Sequence, residues 1–114
     1  MEEAGSGLPD LSTAELEALL AREEGMVLVS FWAPSCEPCR GVRRGLEALR
    51  ERAEGICRLV AVNVEQEPEA AWRHGVWKLP TLVFFKGGVE LYRIRAGALP
   101  ASVRRTLGRA AHEA

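Results

Sequence analysis

The stretch that decides the fold of this chain is MVLVSFWAPSCEPCR, residues 26–40. Residues 26–33 form an almost continuous apolar run, which is typical of a strand that is covered on both faces of a sheet. Cys36 and Cys39 stand where this run ends and a segment with helical spacing begins. The sequence therefore predicts a central strand that leads into a helix, with a CxxC pair at the junction.

The position of Cys36 predicts a reactive sulfur. The amino end of a helix carries unpaired NH groups and a partial positive charge, which stabilise a thiolate. An interaction of about 2 kcal/mol corresponds to roughly 1.5 pKa units, enough to make an ordinary thiol reactive near neutral pH. Cys36 is therefore the predicted nucleophile. Cys39, one helical turn further on, is the predicted resolving thiol.

Length and composition limit the possible classes of protein. The 114 residues allow one domain, and 47% hydrophobic with 27% charged residues is typical of a globular protein. The net charge is -1, and the basic residues are interspersed with Glu, so nothing favours nucleic-acid binding. No segment approaches the about 20 apolar residues of a membrane span, and the amino terminus lacks the apolar core of a leader. We expect a cytoplasmic monomer that binds neither nucleic acid nor membrane.

Capping and turn residues predict an αβαβαββα order. A flexible lead-in is expected over residues 1–9, followed by a single domain over residues 10–114. Helices are predicted between Ser12 and Gly25, over residues 38–53, over residues 68–73 and after Pro100, and strands over residues 26–32, 56–64, 81–85 and 89–95. Gly87-Gly88 predicts a hairpin turn between the last two strands.

Four motifs, in this order along the chain, resemble the thioredoxin family. They are FWAPSCEPCR (residues 31–40), VAVNVEQEP (60–68), LPTLVFFKGG (79–88) and AGAL (96–99). The resemblance covers about residues 11–108. It implies an α/β, three-layer thioredoxin-like fold, in which a mixed sheet of about four strands is flanked by helices on both faces. It also implies the reduction of protein disulfides by dithiol exchange, with no organic cofactor and no metal.

The resemblance also assigns residues to the site. Pro80 is expected to follow a cis peptide bond and to lie against Cys36. Residues expected to shape the site are Trp32, Ser35, Glu37 and Pro38, and those expected in a substrate groove are Trp77, Leu79, Ala96, Gly97 and Ala98. Trp77 is included as a possible aromatic surface; the alternative is that it packs in the core. The carboxylate of Glu37 is either simply solvated or keeps Cys36 less acidic by opposing the helix dipole.

Three positions depart from the family pattern. Ser35 stands where a Trp usually precedes the first cysteine, so an apolar contact is lost. Ser30 replaces a buried Asp, and Ala61 replaces the Lys that accompanies it. The two charges are missing together, as expected of a pair, because either one alone would be a costly unpaired charge in the core. We expect the exchange reaction to remain, with an altered rate.

The other polar and aromatic residues are not expected to take part in the chemistry. Cys57 lies in an apolar strand and is expected to be an inert buried thiol. His74 is expected to be structural or solvated at a helix end, and Trp72 to pack. A zinc site of Cys36, Cys39, Cys57 and His74 is disfavoured, because Cys57 begins a strand far from the CxxC end.

The expected partners follow from dithiol exchange. They are proteins that contain disulfides, together with a flavoprotein reductase as the electron donor. Two alternatives stay open: a disulfide oxidase or isomerase that uses the same cysteines, and a non-catalytic interaction module whose affinity is switched by redox state.

Overall fold

A computed structural model describes residues 8–95 and residue 105. Within that part of the chain the elements are α1 (Thr13–Arg22), β1 (Met26–Trp32), α2 (Glu37–Ala53), β2 (Cys57–Asn63), α3 (Pro68–Arg73), β3 (Thr81–Lys86) and β4 (Val89–Ile94). The strands are ordered β2-β1-β3-β4 in one sheet. β1 is parallel to β2 and antiparallel to β3. The strand predicted to be central is therefore central, and the sheet is mixed.

Helices cover both faces of this sheet. Between the sheet and α2 lies an apolar cluster that includes Leu28, Val42, Leu46, Leu49, Leu59 and Phe84. On the opposite face, α1 and α3 enclose a second cluster that includes Leu16, Leu19, Val29, Phe31, Ala70 and Phe85. Alternate residues of β1 contribute to the two clusters, which explains why this strand is apolar throughout. The predicted three-layer α/β fold is confirmed.

The element boundaries follow the capping residues closely. Ser12 forms the predicted capping box with Glu15 at the start of α1. The helix ends at Arg22 rather than at Gly25, and β2 is one residue shorter at each end than predicted. Gly87 and Gly88 both have positive φ, which the turn between β3 and β4 requires. The closing helix predicted after Pro100 lies outside the described residues except at Arg105, which is helical.

Residues 8–11 lie along the outer edge of β2. The NH of Leu11 donates to the carbonyl of Ala61 at 2.8 Å, and the NH of Ala61 donates to the carbonyl of Pro9 at 2.9 Å. Leu8 is buried in the cluster beneath α2. These contacts hold Asp10 near the active-site end of the sheet.

Trp72 does not pack, which corrects the prediction made for it. Its side chain is 82% exposed, whereas Ala70 of the same short helix is completely buried. Two residues advance an α-helix by about 200°, so the face that buries Ala70 turns Trp72 toward solvent.

None of the described helices is long and apolar enough to cross a membrane.

Candidate active site

Cys36 and Cys39 form a disulfide at the amino end of α2. Cys36 is the N-cap residue, and its Sγ accepts a hydrogen bond from the NH of Cys39 at 3.2 Å. Pro38 occupies the first turn, where a missing NH costs nothing. Cys36 is partly exposed, whereas Cys39 is 1% exposed. Of the two sulfurs, that of Cys36 is the one open to solvent.

The segment before β3 lies at the same end of the sheet. Thr81, the first residue of β3, pairs with Phe31 near the end of β1. The Leu79–Pro80 peptide bond is cis, and Pro80 is buried. Leu79 is half-buried against the apolar cluster under α1 and α3, whereas Trp77 is 76% exposed. The exposure of Trp77 rules out the packing alternative, and Ala96, Gly97 and Ala98 lie outside the described residues.

Trp32 is held by two residues that sequence reasoning missed. Its Nε1 donates to Oδ1 of Asp10 at 2.7 Å, and the guanidinium of Arg43 lies 4.7 Å from the centroid of its ring. Arg43 also donates to the carbonyl of Leu8 at 2.8 Å and forms ion pairs with Asp10 and Glu47, each at 3.2 Å. Arg43 therefore joins α2, the segment before α1 and the tryptophan beside the CxxC pair.

We expect Arg43→Ala to lower the free energy of unfolding by about 1–3 kcal/mol, because one substitution removes a cation–π contact, two ion pairs and a hydrogen bond to a backbone carbonyl. Arg44→Ala is the matched control: its residue is exposed on the same helix, and a surface substitution stays within about 0.5 kcal/mol. Urea denaturation of the two variants measures the difference. Equal midpoints would show that the contacts of Arg43 contribute nothing to stability.

Ser35 has a partner that the sequence did not indicate. Its hydroxyl donates to Oε2 of Glu65 at 2.5 Å. Glu65 follows β2, and its NH donates to Oδ1 of Asn63 at 3.0 Å. A carboxylate is thus held at Ser35, the position before Cys36 where the usual family residue offers an aromatic ring.

Ser30 and Ala61 face each other in the parallel pairing of β1 and β2. They are 1% and 0% exposed, respectively. Because side chains alternate along a strand, Ser30 lies on the same face as Leu28, which belongs with Ala61 to the cluster beneath α2. The two departures from the family pattern therefore occur at one place in the core.

Cys57 and His74 take no part in this site. Cys57 is buried at the first residue of β2, the opposite end of that strand, and burial raises the pKa of its thiol to about 12. His74 ends α3, where its Nε2 lies 2.6 Å from Oε2 of Glu17 and its ring packs edge-on against Phe85. No three His, Cys, Asp or Glu side chains converge as metal ligands within residues 8–95.

The pKa of Cys57 makes stability depend on alkaline pH. It is about 12 in the folded protein against an ordinary value of 9.0, so the unfolded chain loses this proton first as the pH rises. We expect the free energy of unfolding of the oxidised protein to fall above pH 9, by up to about 1.4 kcal/mol per pH unit. Cys57→Ala is the control, and it lacks this contribution. Parallel pH profiles for the two proteins would contradict the assignment.

A partly exposed sulfur that caps a helix, a buried sulfur one turn further on and a cis-proline at the same end of the sheet define a site for dithiol–disulfide exchange. Comparison with known proteins agrees. The chain matches the thioredoxin family model over residues 8–107. It is 36% identical to the thioredoxin of Synechocystis sp. over 95 residues, which is 83% of this chain and 88% of that protein. It is 38% identical to the thioredoxin of Streptomyces clavuligerus over 93 residues, 82% of this chain and 85% of that protein.

Solved structures give the same result. The thioredoxin of Fasciola hepatica superposes with a TM-score of 0.78 at 32% identity, covering 86% of this chain and 93% of that one. Mitochondrial thioredoxin 3 of Saccharomyces cerevisiae shares the fold, with a TM-score of 0.80 at 22% identity and coverage of 92% and 97%. The chain belongs to the thioredoxin family. It is a thiol–disulfide oxidoreductase that reduces protein disulfides through its CxxC pair.

Proposed function

We propose that Cys36 is the attacking sulfur and Cys39 the resolving sulfur in the reduction of cytoplasmic protein disulfides. The Cys36 thiolate attacks one sulfur of the target, so that a mixed disulfide forms and the other target sulfur leaves as a thiolate. The Cys39 thiolate then attacks Sγ of Cys36 and releases the second target thiolate. Both leaving thiolates take up protons, and two electrons pass from the enzyme to the target.

The contrast in exposure between the two sulfurs carries this assignment. A protein disulfide is bulky, so it can approach the partly exposed Cys36 but not Cys39, which is 1% exposed. The NH that points at Sγ of Cys36 belongs to the first turn of α2, where hydrogen bonds and the helix dipole favour the thiolate. Cys39 is left with one accessible reaction partner, which is Cys36.

The target segment lies in an extended conformation along the backbone near Leu79. Trp77 borders it on one side. The residues that shape the CxxC side border it on the other, and they are Trp32, Ser35, Glu37 and Pro38. The family resemblance assigns residues 96–98 to the same groove, and they lie outside the described residues. The oxidised Cys36–Cys39 pair is returned to the dithiol by a flavoprotein reductase, which supplies the two electrons.

A coupled assay tests the proposal. We expect catalytic amounts of the protein, together with NADPH and a flavoprotein thioredoxin reductase, to reduce insulin disulfides while NADPH is consumed. Reduction that dithiothreitol drives but the reductase does not would remove the proposed electron donor. A reduction potential nearer about -180 mV than about -270 mV would favour the oxidase or isomerase alternative.

A further inference from the structure

An aromatic ring and two cations stand together at the segment that precedes Pro80. Trp77 is 76% exposed, and the guanidinium of Arg95 lies 5.2 Å from the centroid of its ring. Lys78 is exposed beside them. Neither Lys78 nor Arg95 forms an ion pair with a carboxylate of the described residues. We call Trp77, Lys78 and Arg95 the cationic flank.

Carboxylates stand on the other side, around the nucleophile. Glu37 follows Cys36 directly and is exposed. The carboxylate of Glu65 is also exposed, and it accepts a 2.5 Å hydrogen bond from Ser35, the residue before Cys36. We call these two carboxylates the acidic flank. Neither forms an ion pair with Lys78 or Arg95. On the same side, Nη1 of the exposed Arg40 donates to the carbonyl of Pro34 at 3.4 Å. The Cys36 side therefore carries two carboxylates and one cation, whereas the cationic flank carries two cations and no carboxylate.

We propose that the cationic flank selects target proteins in which an acidic segment adjoins the disulfide. This inference rests on the proposed function and names its substrate class. The indole ring supplies apolar contact area in place of the aromatic residue that Ser35 replaces, while Lys78 and Arg95 attract the carboxylates of the target. The acidic flank repels the same carboxylates from the side of Cys36, so an acidic target binds in one orientation.

Two peptide substrates of equal length test the selection directly. Each contains one disulfide, and they differ only in whether Glu or Lys residues flank it. We expect kcat/KM of the wild type to be about fivefold higher for the acidic peptide. Higher salt should shrink this preference, because exposed charges are screened. No preference, or a preference for the basic peptide, would overturn the proposal.

Substitutions locate the source of the preference. Trp77→Ala should lower kcat/KM for the acidic peptide about fivefold, and Arg95→Glu should reverse the order of the two peptides. Trp72→Ala is the matched control for Trp77→Ala, because Trp72 is a similarly exposed tryptophan on α3. Arg22→Glu is the matched control for Arg95→Glu, because it makes the same charge change at an exposed position in the last turn of α1. Equal effects in variant and control would assign the preference to overall charge or hydrophobicity and overturn the proposal.

The reduction of a small neutral disulfide distinguishes a failure of this inference from a failure of the proposed function. Bis(2-hydroxyethyl) disulfide carries no charge, so its turnover by the wild type reports thiol exchange alone. If it is reduced while the peptides are not distinguished, the selection fails and the proposed function stands. If it is not reduced, the proposed function fails. In that case, binding of the two peptides to a Cys36→Ser/Cys39→Ser variant decides whether the cationic flank still prefers the acidic peptide.

Discussion

Cys36→Ser should abolish the turnover of protein disulfides, with a loss of at least about 1,000-fold in kcat/KM, because a serine hydroxyl cannot form the mixed disulfide. Cys39→Ser should leave the first attack intact and remove the resolving step. A target protein is then trapped as a covalent adduct on Cys36. Mass spectrometry of the two variants after incubation with an oxidised target, before and after reduction, measures both results.

Cys57→Ala is the control for these substitutions, because it removes the buried cysteine, 5% exposed, that lies outside the site. It should retain turnover and trap nothing. An adduct on Cys36→Ser but not on Cys39→Ser would mean that the roles of nucleophile and resolving thiol are reversed. Turnover that survives in both variants would remove dithiol exchange as the mechanism.

Ser30→Asp should lower the free energy of unfolding by roughly 3 kcal/mol at neutral pH, the usual cost of an unpaired buried charge. The substituted position is 1% exposed, and the residue opposite it, Ala61, is 0% exposed. Burial raises the pKa of such a carboxyl, whereas in the unfolded chain it titrates near about 3.9. The loss of stability should therefore grow as the pH rises from 4 to 7. Chemical denaturation across that range measures it.

The double substitution Ser30→Asp/Ala61→Lys should recover part of this loss, since the register of β1 and β2 places the two side chains opposite each other. It should also accelerate the release of Cys36 adducts at neutral pH, because in the family pattern the buried carboxylate at this position accepts the proton of the second thiol. Ser30→Asn is the uncharged control of similar size. Equal rates of adduct release in the wild type and the double variant, measured by stopped flow, would show that these two positions affect packing only.

Much of this protein was determined by local features of its sequence. The apolar run over residues 26–32 predicted the central strand, and Ser12 with Glu15 predicted the start of α1, because covering both faces of a strand and capping a helix each need particular residues at fixed spacing. The CxxC pair at a strand-to-helix junction predicted the chemistry for the same reason. The cis bond before Pro80 was expected from the family resemblance alone, since an X-Pro bond is cis in only about 5–6% of cases.

Tertiary structure alone decided the contacts around the site. Trp32 and Asp10 are 22 residues apart, Ser35 and Glu65 are 30 apart, and Asp10 and Arg43 are 33 apart. No local spacing indicates such pairs, because they form only when the sheet and helices pack together. The exposure of Trp72 was decided in the same way, since a six-residue helix turns whichever face its neighbours leave uncovered toward solvent. Local sequence therefore specified the reacting sulfurs, whereas packing specified the charged and aromatic surroundings that distinguish this site.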